Sequence, residues 1–507
     1  MQPLPSLRSS ALANYLGQGW SALMGIAFLP LYLAVLGVEA YALIGFFAVL
    51  QAWVGLLDLG LTPTLNREMA RLRGGLHTAG SIRDLLRSLE WICVGVVLLA
   101  VAVVWSAAPW LASRWLNLQH LPMADVLEAL RIMAFVLATR FVEQVYRGAL
   151  QGAGDQIWLN LATAGLATLR WGGALLVITV GAPSIANFFV WQGAVSCVSV
   201  AVLVTRTYQI LPPSTRYGQF RIEAMADVYG FARGMFVGSI LAFLLTQVDK
   251  LAVSKMLPLT ELGYYTLAAA VAGSLMQLVV PLNTAVYPRL TMQVSQKDDA
   301  GLRATYHRTC EWMAAIVVPP ALVLACFPDL VLLAWTGDDM LVEHVAPLLT
   351  ILAIGNLCNA FMNIPYMLQL AHGWTGLAIR VNLVAVLLFL PAVLWAVPKF
   401  GASGAAFTWL ALNLSYLTLV AGLMYSRILP GAQWKWYRDA VIRPVAAGAV
   451  VAGVLRLLLP DDPSRIFSGI FVAGGLVAMI VAVLAATPSV RLSIFQAFHE
   501  RRAAPGI

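Results

Sequence analysis

Apolar segments long enough to span a bilayer follow one another from Ala11 to Val490, and lysine and arginine collect in alternate gaps between them. That alternation constrains the chain to a polytopic membrane protein of defined orientation, because short loops rich in Lys and Arg stay on the cytoplasmic side. A spanning helix needs about 20 mostly apolar residues. Fourteen are predicted, at 10–36, 41–66, 88–111, 124–147, 156–180, 184–207, 228–254, 262–288, 309–335, 344–370, 376–397, 402–426, 439–459 and 466–488. With the amino terminus in the cytoplasm, 22 of the 32 Lys and Arg lie on the inner side, among them Arg67, Arg71, Arg73, Arg83, Arg87, Arg501 and Arg502. Arg114, Lys255, Lys399 and Arg465 fall in outer loops, and Arg131, Arg140, Arg170, Arg233, Lys250 and Arg456 lie within segments. The outer loops collect acids instead: Asp329, Asp338, Asp339, Glu343, Asp461 and Asp462. An even number of crossings returns the carboxyl end to the cytoplasm.

Hydrophobic residues make up 60% of the chain and charged residues 11%, with a mean hydropathy of +0.81, whereas soluble domains carry roughly 25% charged residues. A water-soluble core is excluded. The net charge of +8 is spread over inner loops, where anionic lipid headgroups attract it, so it does not point to nucleic acid. The start MQPLPSLRSS lacks the short apolar run and small-residue cleavage site of a secretory signal and reads as part of a retained first helix. Cys93, Cys197, Cys310, Cys326 and Cys358 all sit in apolar segments without paired spacing, which indicates neither a disulfide framework nor a metal site. No phosphate-binding glycine loop occurs, and no cofactor is expected.

No connection exceeds roughly 25 residues, and none has the length of a soluble domain. The inner connection Thr205 to Asp227 is basic and polar and divides the chain into an amino-terminal six-helix lobe, 1–210, and a carboxy-terminal one, 211–430, with two appended helices and a tail at 431–507. A weak repeat supports the division: a shift of 222 residues superposes Glu39 on Glu261, Thr62 on Thr284 and Arg67 on Arg289. In transporters built from two such halves the substrate site lies between them. The predicted fold class is therefore an all-α polytopic membrane protein of about 14 helices in two pseudo-twofold-related lobes.

Polar residues inside the apolar segments form stripes. Ser10, Asn14, Gly17 and Ser21 share one helical face, as do Gln51, Gly55, Asp58 and Thr62. Asn356, Asn359 and Asn363 form a third stripe, and Gln277, Pro281 and Thr284 a fourth. Such stripes avoid lipid, where unpaired polar groups cost several kcal/mol; each is either glue between helices or part of a hydrated cavity. Arg170 falls near the middle of its segment, where a charge costs roughly 2.5–3.5 kcal/mol. Arg140 shares one continuous face with Glu143, Gln144 and Arg147, and is expected to line the cavity. Arg131 points about half a turn away and is read as paired with Glu128 or with another helix. Arg233 lies in the inner part of its helix with Gln247 on nearly the same face. The bland alternative for each arginine is an intramembrane ion pair with Glu143 or Asp58. Lys250 and Asp249 lie near an outer helix end, where the lysine is expected to snorkel, and Arg456 is expected to be structural.

The well-buried cations Arg140, Arg170 and Arg233 outnumber the clear carboxylates Asp58 and Glu143. An excess of buried cation suits an anionic substrate, above all a phosphate, which a guanidinium meets with a planar fork of donors. Asp58, Glu143 and Asp249 are the candidates for coupling to a proton or sodium ion.

Several stretches resemble one family. LLDLGLTPTLNREMAR at 56–71 is similar to a signature of polysaccharide exporters of the MOP superfamily, the O-antigen flippase (Wzx-like) group, with Asp58, Gly60 and Arg67 at the matching places. QVDKLAVSKMLPLTELGYYTLA at 247–268, carrying Asp249, Gly263 and Tyr264, resembles the joint between that group's seventh and eighth helices. YRGALQGAGD at 146–155, AVYPRL at 285–290 and FGASGAAFTWLALN at 400–413 continue the likeness. The resemblance implies a flippase, not an enzyme, in the bacterial inner membrane with both termini cytoplasmic. It would move undecaprenyl-pyrophosphate-linked oligosaccharide from the cytoplasmic to the periplasmic leaflet by alternating access, for O-antigen, capsule or exopolysaccharide biosynthesis, alongside polymerase machinery and membrane lipids. Many members have twelve helices where fourteen are read here, and Arg140, Arg170 and Arg233 match no motif of the group.

Two rival readings make different demands on the sequence. A multidrug cation antiporter of the same superfamily predicts more buried carboxylates than arginines, the reverse of this sequence. A membrane-embedded polysaccharide polymerase or ligase calls for a substantial outer loop bearing catalytic side chains, and the outer loops are short and mostly acidic.

Overall fold

Each of the fourteen apolar segments is mostly helical over its described residues. The computed structural model describes residues 7–58, 61–73, 78–213, 218–221, 223–460 and 463–492, with the side chains at 7–16, 18, 22, 223–239 and 375 outside that description. The side chains of Ser10, Asn14 and Arg233 thus lie outside that description, and Gly60, Asp461, Asp462, Arg501 and Arg502 lie outside the described residues altogether. Among the described residues the only extended pairing is an isolated bridge between Asn117 and Pro258.

Two compact units divide the chain, Met1–Gly263 and Tyr264–Ile507. The first contains α1 (Leu7–Leu36), α2 (Val38–Leu56), α3 (Leu61–Arg73), α4 (Ala79–Trp110), α5 (Met123–Gly152), α6 (Gln156–Val180), α7 (Ile185–Ile210) and α8 (Glu223–Met256). Helix α9 (Leu259–Ser295) begins in the first unit and continues into the second. There it is followed by α10 (Asp299–Cys326), α11 (Pro328–Thr336), α12 (Asp339–Ala371), α13 (Thr375–Ser415), α14 (Ala421–Ile428), α15 (Gln433–Trp436), α16 (Arg443–Leu457) and α17 (Arg465–Ala486). Single π-helical turns join α13 to α14 and α15 to α16.

Two predicted segments are broken. The stretch 41–66 stops at Leu56 and resumes at Leu61, and Asp58 accounts for the restart: its carboxylate accepts the Thr62 N–H at 3.1 Å and the Thr62 hydroxyl at 2.7 Å. Gln51 and Thr62 therefore stand on different helices, and the expected single stripe from Gln51 to Thr62 is interrupted. The stretch 309–335 breaks at Phe327, because Pro328 has no N–H to continue the ladder and instead opens α11. Within α13, Gly401 adopts φ 62° and ψ −149°, a region essentially reserved for glycine. The chain folds back there, bringing the Tyr416 hydroxyl to Asn382 Oδ1 at 3.2 Å and Arg427 over Trp374 at 4.3 Å. Helix α13 thus covers the predicted segment 376–397 and the first part of 402–426, which the π-helical turn and α14 complete.

Eleven helices among the described residues are long and apolar enough to cross a membrane. Helix α5 is outside that set, since it carries Asp125, Glu128, Arg131, Arg140, Glu143 and Arg147. The unit manages this by wrapping α5 with α3, α4 and α7, while α1 lies along α6. Lipid supplies no hydrophobic drive between helices, so small residues decide how closely they approach. A Cβ at Gly148 would stand 2.8 Å from the Thr62 carbonyl oxygen, which gives a physical reason for glycine in YRGALQGAGD. In the second unit α10 takes the central place against α11, α12, α16 and α17. Its Tyr306 hydroxyl meets that of Tyr425 at 2.6 Å, and its buried Glu311 accepts the Ser489 N–H and hydroxyl, each at 2.7 Å. Arg456 of α16 pairs with Asp329 of α11 at 3.0 Å and stacks on Phe327, in keeping with its structural reading.

Candidate substrate cavity

In the first unit, α1, α2, α5 and α6 enclose a cavity of about 350 Å³ lined by Ser21, Gln51, Arg140, Glu143, Gln144, Arg147, Thr163, Arg170 and Trp171, with Leu166 and Ala167. The face of α5 read from the spacing Arg140, Glu143, Gln144 and Arg147 is the face that lines it. Glu143, only 3% exposed, holds two guanidiniums: Arg147 at 2.8 Å through Oε1 and Arg170 at 3.1 Å through Oε2. Arg170 also donates to Ser199 at 3.3 Å and Ser196 at 3.4 Å on α7. Arg140 is different: it donates to Gln192 Oε1 at 3.2 Å, and no carboxylate lies within ion-pair distance of it among the described residues. The Nε atoms of Arg140 and Arg170 are buried without a hydrogen-bond acceptor.

Among the described residues, three guanidiniums against one carboxylate leave the lining with an excess of two positive charges. Isolated charges in such surroundings need partners, and Arg140 keeps a buried Nε with no acceptor. Arg170 takes the ion-pair alternative, with Glu143 as the partner. Sequence reading missed the α7 contribution, although Gln192, Ser196 and Ser199 repeat at i, i+4 and i+7 and form a stripe like the four recognised ones.

The other candidate residues are dispersed. Asp58 caps α3, and Thr62 is the residue it caps. Asp249 is buried in α8, and Lys250 of the same helix reaches Gln247 Oε1 at 3.3 Å. Arg131 stacks over the Trp105 ring of α4 at 5.4 Å rather than facing the cavity. In the second unit Gln277 and Thr284 are exposed. The α12 asparagines join helices: Asn356 accepts from Trp409 Nε1 at 2.9 Å, Asn359 donates to Asn413 at 2.7 Å, and Asn363 accepts from Asn283 at 2.9 Å. Asn359 and Asn363 also line a cavity of about 210 Å³ with Tyr366, Gln369, Asn382 and Tyr416.

The cap gives a direct test for Asp58. Asp58→Ala should cost about 1 kcal/mol, read as a lowered thermal midpoint in detergent, and Asp58→Asn should recover most of it. An unchanged midpoint in Asp58→Ala would remove the capping role and leave the carboxylate free for another.

Residues 83–342, just over half of the chain, match the family model described as polysaccharide biosynthesis protein. The chain belongs to the polysaccharide biosynthesis protein family. A Shigella flexneri member of the curated relatives, named "Putative O-antigen transporter", is 22% identical over 428 residues, covering 83% of this chain and 98% of its own. Among solved structures, lipid II flippase MurJ in an inward closed conformation aligns with a TM-score of 0.71 at 12% identity, covering 94% of this chain and 98% of MurJ. An inward-facing multidrug resistance MATE family transporter of the MOP superfamily aligns at 0.68 with 13% identity, covering 82% and 96%. At these identities the likeness establishes the fold alone, the one these solved proteins share. This polysaccharide biosynthesis family member is accordingly a multi-pass membrane protein of about 14 helices, and its relatives are transporters and flippases rather than enzymes.

Proposed function

We propose that the protein is a flippase that moves undecaprenyl-pyrophosphate-linked oligosaccharide from the cytoplasmic to the periplasmic leaflet of the bacterial inner membrane for surface polysaccharide biosynthesis. The observation that carries the reading is the cationic cavity: three arginines around one glutamate, with Arg140 free of any carboxylate among the described residues. A pyrophosphate offers the acceptors these donors lack, and a guanidinium meets it with two parallel bonds. Arg140, Arg170 and Arg233 are the proposed substrate-binding cations, with Arg140 the principal contact and Arg170 held ready by Glu143. Gln51 and the other polar residues singled out, Asn14, Thr62, Gln277, Asn356, Asn359 and Asn363, are assigned to the glycan path. A cationic drug would meet like charge here, which disfavours the antiporter reading.

The proposed cycle is alternating access, with 1–210 and 211–430 as the moving lobes, 431–507 appended and both termini cytoplasmic. Binding of the head is moderate rather than tight, since the anion must be released on the far side. Of the three carboxylates proposed for coupling, Asp58, Glu143 and Asp249, Glu143 lines the same cavity as the arginines. Coupling to a proton or sodium ion is therefore assigned to it first, and polymerase machinery is the proposed consumer of the product.

The test is the leaflet distribution of lipid-linked oligosaccharide in cells without the protein, read with an impermeant glycan-oxidising reagent in spheroplasts and inside-out vesicles. Confinement to the inner leaflet, relieved by restoring the gene, is expected; an unchanged distribution would sink the proposal. Arg140→Gln should lower flipping about tenfold or more, the loss of one charge-assisted contact, at unchanged membrane level. Normal flipping in that variant would make Arg140 structural.

A further inference from the structure

The two halves of α13, folded on each other at Gly401, and the adjoining α14 leave a long apolar groove of about 810 Å³ in the second unit. Its walls include Val384, Leu388, Leu412, Leu419 and Leu423, and Leu388 and Leu419 are each 69% exposed. One end is basic: Arg380 and Arg427 both line it beside Trp374. Arg380 donates to the Gly376 carbonyl oxygen at 3.0 Å, and Arg427 stacks on Trp374 at 4.3 Å. Neither guanidinium has a carboxylate within ion-pair distance among the described residues. From Arg380 to Ala392 the helix rises about 18 Å, close to the roughly 15 Å depth of one leaflet's hydrocarbon.

We propose that this groove is a binding site for an anionic phospholipid of the cytoplasmic leaflet, one acyl chain along the α13 halves and the phosphate on Arg380 and Arg427. Three features converge on that occupant. The cations cluster at one end only, the walls between are apolar, and the length suits a chain anchored at a leaflet surface. Anionic lipids enrich that leaflet, and basic pockets between helices on that side hold their headgroups. A polyprenyl chain is far longer than the groove. Because Val381, Tyr416 and Val420 also line the neighbouring amide cavity, such a chain is the competing occupant. The proposal does not rest on the substrate assigned above.

Native mass spectrometry of the delipidated full-length protein, titrated with phosphatidylglycerol, phosphatidylcholine or undecaprenyl phosphate, tests it. One phosphatidylglycerol should bind in preference to phosphatidylcholine, and Arg380→Gln with Arg427→Gln should weaken it about 30-fold, the loss of two cationic contacts. Ala411→Trp, which fills the groove but keeps both arginines, should also displace the lipid and serves if the double variant fails to fold. Equal binding of the zwitterionic lipid, undiminished binding in both variants, preference for undecaprenyl phosphate, or a dimer that excludes lipid would each overturn it.

Discussion

Replacing Glu143 with leucine is expected to deplete folded protein, the largest effect of any cavity substitution. Its carboxylate holds Arg147 at 2.8 Å and Arg170 at 3.1 Å and is the sole acid among the described residues of the lining. Removing it leaves three guanidiniums facing one another with nothing to offset them. Breaking a buried pair from one side costs about 3–5 kcal/mol, a large share of the roughly 5–15 kcal/mol that holds a typical protein folded. The readout is the thermal midpoint in detergent and the monodisperse fraction on size exclusion. Arg170→Leu in the same chain should restore most of the loss, since a pair replaced on both sides by apolar groups is close to neutral. Glu143→Gln, which retains the acceptor but not the charge, should fall between. A Glu143→Leu protein as stable as the wild type would mean that the arginines find other partners.

Gly152→Ala should be nearly as damaging, through backbone contact rather than charge. A Cβ there would lie 2.0 Å from the Asn66 carbonyl oxygen of α3, a separation no rotamer can relieve. Helices α3 and α5 must then part. Overpacking of this kind costs about 1–3 kcal/mol where side chains can yield, and here the obstacle is main chain. Gly165→Ala in α6 is the control, because a Cβ there meets no heavy atom within 4 Å. That control should be neutral or stabilising by about 0.5–1 kcal/mol. Equal thermal midpoints for the two variants would show that α3 and α5 are not closely seated.

The helices were legible because apolar length and the placement of Lys and Arg are set by the bilayer, which acts on each segment separately. The breaks were harder. Leu56 and Leu61 flank an apolar stretch that hydropathy reads as continuous, yet Asp58 four residues before Thr62 is a capping pair, and Pro63 in the following turn marks a helix start. Pro328 carries the same message for α11. In the cavity, the α5 face from Arg140 to Arg147 followed from spacing alone. The partnership of Glu143 with Arg170 did not, because it depends on which helices become neighbours, and spacing within one helix is silent about that. The α7 stripe Gln192, Ser196 and Ser199 has the same periodicity and the same uncharged composition as three of the recognised stripes, and was legible by the same test.

The charged character of α5 also bears on how the chain is made. A helix bearing Arg131, Arg140, Glu143 and Arg147 partitions poorly into lipid by itself, since each central charge costs roughly 2.5–3.5 kcal/mol at the translocon. Its partner Arg170 is synthesised 27 residues after Glu143. At about 5–20 residues per second, α5 waits on the order of one to five seconds for that counter-charge. During biogenesis it must therefore be retained at the insertion machinery until α6, and then α7, can enter the membrane with it as a group.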